Sequence, residues 1–270
     1  MINFDFTKTE ERKYKLNKMY DKFYCDKGKC QHYDTCSKEM CTKYSYSSSR
    51  CIKLGKYYDI KANGNDIRIV FVGKEGPNKQ EAIGRPAKLS ESLVKGRVTT
   101  HWLTSYKMIC DMLNAEKYKS VRGPFRNQPD MCLQAFALTN VYRCAFKNKG
   151  LDQRTDIPNN EQQKNNCISI LKEELSILNP TILVLQGIKV IDLFDDSEQI
   201  KNGLFLRKTN SNFCYIIETH HPCWREKGKN WEKTEHPIFI ENVEYLRSKG
   251  ILPPKHYDVC KYLNDNYNYD

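Results

Sequence analysis

No apolar run in the sequence approaches the ~18 residues of a membrane span, and the opening segment MINFDFTKTEERKYK lacks the apolar stretch of a secretory leader. These absences point to a soluble, cytoplasmic protein with no membrane partner. Hydrophobic residues are scarce, at 39%, below the globular average of about 45–50%. Aromatic residues, at 11%, are plentiful enough to exclude a disordered chain. No internal repeat is visible, and there is no short C-x-x-C pair. With 270 residues the chain is long enough for one large domain, or one domain and a small accessory piece, around a real core.

What is present in excess is positive charge and cysteine. Lys and Arg number 44 against 33 Asp and Glu, a net charge of +11. That balance suits an acidic partner, nucleic acid first. The competing explanation is an AT-rich coding genome, which also enriches Tyr, Lys and Asn. Twelve cysteines, in a reducing compartment, read as metal ligands or small buried hydrophobes rather than as disulfides. Five of them, Cys25, Cys30, Cys36, Cys41 and Cys51, crowd into YCDKGKCQHYDTCSKEMCTKYSYSSSRC. This Lys-rich segment has almost no aliphatic residue for a core of its own, so a metal centre is the candidate that would hold it. Incidental thiols are the other reading, and the spacings fit no zinc-finger pattern.

From Ile67 onward the pattern changes. IRIVFVG is a short β-branched run ending in glycine, as expected of a strand buried on both faces. CLQAFALTN (Cys132 to Asn140), TILVLQG (Thr181 to Gly187) and FCYIIETHHP (Phe213 to Pro222) read the same way. Helical spacing of apolar residues occupies Thr100 to Leu113 and Glu161 to Leu178, and Asn179-Pro180 stops the second helix. Closing helices are predicted over Pro237 to Leu246 and His256 to Tyr267. Alternating strands and helices imply βαβ units. The predicted fold class is α/β, a three-layer αβα sandwich with a short central parallel sheet and a Cys-rich N-terminal segment. The predicted division is residues 1–60, a helix and the Cys-rich segment packed on the core, and residues 61–270, the α/β domain.

In such a sheet ligands bind beyond the carboxyl ends of the strands. Here those ends carry GKEGPNKQEAIGRP, then Asn140-Val-Tyr-Arg-Cys144, then Gln186-Gly187, then Thr219-His220-His221-Pro222. The ordered set VGKEGPNKQEAIGRP, TNVYRC, CISILKEELSILNPTILVLQG and THHP resembles the uracil-DNA glycosylase superfamily, in particular its iron–sulfur branch, family four. The likeness covers roughly Ile67 to Pro222. It implies a monofunctional DNA glycosylase, a hydrolase that flips a pyrimidine out of DNA and cleaves its N-glycosidic bond with water.

The resemblance implies roles residue by residue. His221 is the donor to the base oxygen that gains negative charge, with His220 as substitute if the register slips by one. Asn140 reads the pyrimidine edge, since one amide offers both a donor and an acceptor; a strand-end cap is its structural alternative. Gly73, in the first motif, lies against the bound base. Cys144 and Cys167 supply two ligands of a [4Fe–4S] cluster, and two of Cys25, Cys30, Cys36, Cys41 and Cys51 the others. The remaining cysteines, Cys110, Cys132, Cys214, Cys223 and Cys260, read as ordinary thiols.

Two departures from the family pattern stand out. Lys74 occupies the place of the polar catalytic residue, with Glu75 one position later. Glu75 is then the water-positioning candidate or a salt-bridged loop residue, and Lys74 a phosphate contact. Ala87 stands in GRPA where the family stacks a Phe on the flipped base. Losing that ring removes stacking worth about 1–3 kcal/mol and opens the pocket toward a bulky 5-modified pyrimidine, such as those of phage DNA, and a defence role beside the repair one. After His221-Pro222, CWREKGKNWEK offers Trp224 as a wedge and Arg225, Lys227 and Lys229 as phosphate contacts. The implied partner is DNA, single- or double-stranded, met by a monomer. A catalytically weak DNA-binding or damage-sensing iron–sulfur protein is the rival expectation.

Overall fold

The computed structural model describes residues 2–23, 31–32, 44–48, 52–73, 100–115, 131–141, 144–148, 161–209, 212–222, 225–226 and 229–267. Four strands lie side by side and parallel at its centre: β6 (Ile69–Gly73), β7 (Ala137–Asn140), β9 (Ile182–Gln186) and β12 (Phe213–Thr219). Their spatial order is β12-β9-β6-β7. The chain therefore moves outward from β6 to β7 and then returns past β6 to β9.

Both faces of these strands are apolar, and alternation of side chains divides them cleanly. Ile69, Phe71, Ile182, Val184 and Ile217 join one core cluster with Tyr106, Ile109, Phe239, Val243 and Leu263. These come from helices α2 (Thr100–Met112), α4 (His236–Ser248) and α5 (Val259–Asn266). Val70, Val72, Leu183, Leu185 and Ile216 join the other cluster, with Leu16, Met19, Tyr20, Ile170, Leu171 and Leu175. That layer is α1 (Phe6–Phe23) and α3 (Glu161–Leu178). The arrangement is a mixed α/β fold with helices on both faces of a mostly parallel sheet, as the sequence predicts. No helix among the described residues is long and apolar enough to cross a membrane.

The sheet is wider than expected. A hairpin of β10 (Ser197–Lys201) and β11 (Leu204–Lys208) extends it antiparallel beyond β12, and β3 (Lys53–Leu54) closes the β7 edge, for seven strands in all. The hairpin's residues alternate polar and apolar with only partial burial, a weaker signal than the buried runs. The segment Cys132 to Asn140 is strand only from Ala137; Met131–Gln134 forms a 3-10 turn. A small second sheet joins β1 (Ile2–Phe4), β4 (Ile60–Ala62) and β5 (Asn65–Ile67). A ribbon pairs β2 (Tyr44–Ser48) with β8 (Cys144–Asn148).

Two polar anchors hold α1 on the sheet. Buried Asp59 accepts from Arg12 Nε at 3.0 Å and Nη2 at 3.1 Å and from Thr9 Oγ1 at 3.0 Å, while Arg12 Nη1 donates to the carbonyl of Ile177 at 2.5 Å. Glu174, fully buried on α3, accepts from Tyr20 of α1 at 2.5 Å and from Thr139 of β7 at 2.9 Å. Cys214 is buried beneath the same layer, and burial pushes its thiol up to about 12.

Asp59→Ala strands a largely buried guanidinium and the Thr9 hydroxyl together. Breaking such a pair is expected to cost about 3 kcal/mol. The check is a lower urea midpoint with an unchanged slope.

Candidate functional site

The register of the parallel strands builds the site. Gly73 pairs with Asn140 on one side and Gln186 on the other, and Gln186 pairs with Thr219. One row, Asn140–Gly73–Gln186–Thr219, therefore crosses the carboxyl ends of all four strands. Alternation puts these positions on the α2 and α4 face, in phase with Phe71, Val184, Ile217 and Leu138. The chain's change of direction falls between β6 and β9, where Gly73 and Gln186 sit. Helices from neighbouring connections splay apart at such a point, leaving a crevice.

Each member of the row is differently held. Asn140 is half-buried, and its side-chain amide, a donor and an acceptor in one group, has no partner among the described residues. Gln186 is fully buried and donates to Ser105 Oγ on α2 at 2.9 Å, which clamps the strand end to the helix. Thr219 Oγ1 accepts from the buried Trp231 indole at 2.9 Å and approaches Glu235 Oε2 at 3.4 Å.

Gly187 sets the position of His221. Its amide donates to the Thr219 carbonyl at 2.8 Å, and its φ of +77° is a conformation glycine adopts without strain. A Cβ at this position would lie 3.0 Å from His221 Cβ and 3.3 Å from its backbone nitrogen. The absent side chain is what allows the Thr219–Pro222 segment to fold back over the end of β9. His221 is half-buried at this contact. His220 points elsewhere: its side chain is 49% exposed, its amide donates to Glu235 Oε2 at 3.2 Å, and its Nε2 lies 3.9 Å from Oε1. Between the two histidines, His221 is the one seated at the switch point.

The chain after Pro222 makes a short ribbon, β13 (Arg225–Glu226) against β14 (Lys229–Asn230). A π-helical turn, Trp231–Glu235, follows and leads into α4. Arg225 is thus on β13. Trp224 and Lys227 lie outside the described residues, as do Lys74, Glu75 and Ala87 of the loop after β6. So do Cys25, Cys30, Cys36, Cys41 and Cys51. Cys144 opens β8 and its backbone pairs with Ser48. Cys167 is buried on α3, about two turns before Glu174 and so on the same helix face.

One expectation is corrected. Cys110, Cys132 and Cys260 are not ordinary isolated thiols. Cys132 and Cys260 form a disulfide across 128 residues of sequence, and Cys110 lies beside it, with all three sulfurs within 4.8 Å of one another. All three are buried, and together they are close enough to hold a metal ion. Their separations along the chain form no local motif, so only tertiary structure reveals them.

Sequence reasoning also left Gln186, Gly187, Trp231 and Glu235 without roles. The Gln-Gly pair ending a strand was a usable signal. The return of Trp231 and Glu235 to the β12 end had none, because it depends on the ribbon and the π turn. The sequence matches no protein-family model and no curated protein.

Gly187→Ala tests the seating of His221. The added methyl forces a left-handed alanine, costing about 1–2 kcal/mol, and pushes on the histidine. The His221 ring resonances in an NMR spectrum should shift, while those of His256, packed on Tyr257, stay in place.

Proposed function

We propose that the chain is a monofunctional DNA glycosylase that hydrolyses the N-glycosidic bond of a flipped pyrimidine, leaving an abasic site and the free base. The observation that carries this reading is the row Asn140–Gly73–Gln186–Thr219 with His221 seated on Gly187 beside it. Gly73, which has no side chain of its own, stands between the Asn140 amide and Gln186, with the His221 imidazole near Gly187 at the next strand end. The Asn140 amide pairs with the pyrimidine edge. His221 donates to the base oxygen as the bond breaks and charge moves onto the leaving group. Water attacks the sugar carbon and its proton passes to solvent. Glu235 and Trp231 act as positioning residues, fixing the Thr219 side chain and the His220 amide.

The remaining roles rest on the sequence. Glu75 orients the water and Lys74 meets a phosphate. Ala87, in place of a stacking ring, admits a bulky 5-modified pyrimidine, which makes a defence role against phage DNA the favoured setting within the cytoplasm. Arg225 and Lys227 neutralise phosphates and Trp224 fills the gap left by the flipped base. The reading includes a structural [4Fe–4S] cluster on Cys144, Cys167 and two of the five N-terminal cysteines. Two features fit that donor set. The β2 strand, between Cys41 and Cys51 in the sequence, is paired to β8 with Ser48 opposite Cys144. The Gln31 amide also donates to the Phe23 carbonyl at 2.7 Å, closing off the interval that contains Cys25 and Cys30. Such a cluster would tie the N-terminal segment to the rim; base excision itself requires no electron.

A DNA-binding or damage-sensing protein with weak catalysis is the second reading, favoured by the displacement of the first-motif carboxylate to Glu75. Single-turnover release from oligonucleotides bearing uracil, 5-hydroxymethyl or glucosylated pyrimidines separates the two. The expected result is release of the modified base, slowed about 10²–10⁴-fold in His221→Ala with DNA binding retained. Ala87→Phe should shift preference toward uracil. Release of uracil alone would overturn the modified-base assignment, and binding without any release would establish the second reading.

A further inference from the structure

We infer that Cys110, Cys132 and Cys260 form a redox-gated site for a soft d10 cation, Cu⁺ or Zn²⁺, separate from the cysteines assigned to the cluster above. Three elements bring the sulfurs together: the last full turn of α2, the 3-10 turn at Met131–Gln134 and the first turn of α5. Cys110 and Cys132 are fully buried and Cys260 is 3% exposed. The Cys110 sulfur beside the Cys132–Cys260 pair, in a wholly buried setting, completes a set of three soft donors within 4.8 Å of one another.

The convergence does not depend on the disulfide. The amide of Val259 donates to the Leu113 carbonyl at 3.0 Å, joining the start of α5 to the end of α2. Asn264 Oδ1 accepts from the Met131 amide at 3.1 Å, joining α5 to the 3-10 turn. Asn114 donates to the carbonyls of Pro254 at 2.7 Å and Tyr257 at 2.9 Å, fixing the approach to α5. Asp258 caps α5 by accepting from the Lys261 amide at 2.7 Å. With the sulfur–sulfur bond removed, these bonds keep the three side chains facing one another, so the donor set is organised in advance.

The chemistry balances with a dithiol as reductant. It passes two electrons and two protons to the Cys132–Cys260 disulfide, giving two thiols and an oxidised dithiol. The cation then displaces the protons of three thiols to solvent and forms three sulfur–metal bonds. Thiolates are the ligands that such ions select, and three of them in a dry cavity favour Cu⁺ and Zn²⁺ over hard cations. The oxidised state, with two of three donors tied to each other, cannot bind. Thiol redox state therefore decides whether α5 is held by a covalent bond or by a metal.

The test uses the full chain, reduced with a phosphine and titrated anaerobically with Cu⁺ or Zn²⁺ against a chromophoric competitor. Reduced wild type should take up one equivalent more than Cys110→Ser, and one more than the oxidised wild type. Cys110→Ser keeps both disulfide partners, so loss of the fold does not explain its deficit. Cys260→Ser should lose the same equivalent. The bound ion should also raise the thermal midpoint of reduced wild type but not of Cys110→Ser. Equal uptake by reduced wild type and Cys110→Ser for both ions would overturn the proposal. Because the other nine cysteines are common to all samples, the result is independent of whether the cluster or the glycosylase activity exists.

Discussion

Four parallel strands, apolar on both faces, impose the constraint from which the rest follows. Burying Val70, Val72, Leu183 and Leu185 on one side and Ile69, Phe71, Ile182 and Val184 on the other requires a helical layer on each. The side chains within the strands are thereby committed to packing, and polar chemistry is displaced to the strand ends. The chain reverses its direction of travel between β6 and β9, so Gly73 and Gln186 lie side by side at the switch point, with Gln186 buried against α2. The polar row and the seat of His221 on Gly187 are consequences of how the sheet is wound.

Much of this was legible in the sequence because buried parallel strands leave a strong local mark. IRIVFVG, TILVLQG and FCYIIETHHP announce their own ends, and with them Gly73, Gln186 and His221. The helix over Glu161–Leu178 carries its stop signal in Asn179-Pro180. The half-buried hairpin β10–β11 was missed because its apolar content is thin and its partner strand β12 was already accounted for. Gly187 was visible as a strand-ending glycine, but its contact with His221 joins residues on two strands and needs the register between them. The thiol triad joins residues from three separate elements and leaves no local trace. Composition pointed to many cysteines with two fates, metal ligand or buried hydrophobe; a buried disulfide beside a third thiol was a further outcome.

The two polar anchors of α1 explain why the N-terminal segment and the rim are parts of one structure. Asp59 ties α1 to the strand-to-strand turn before β4 and, through Arg12, to the end of α3. Glu174 ties α1 to the β7 strand at the residue immediately before Asn140. A change in the placement of α1 thus reaches the residue next to Asn140 through one carboxylate and one threonine.

That shared carboxylate bears on how the protein can be trimmed. A fragment starting at residue 61 would retain every strand of the parallel sheet and the whole rim. It would also leave Glu174 with an open oxygen where Tyr20 had been, and a strip of Val70, Val72 and Leu171 bare to water. Such a fragment would aggregate through that strip rather than behave as a minimal domain. The N-terminal helix is a wall of the domain, and the smallest workable unit begins at the first strand.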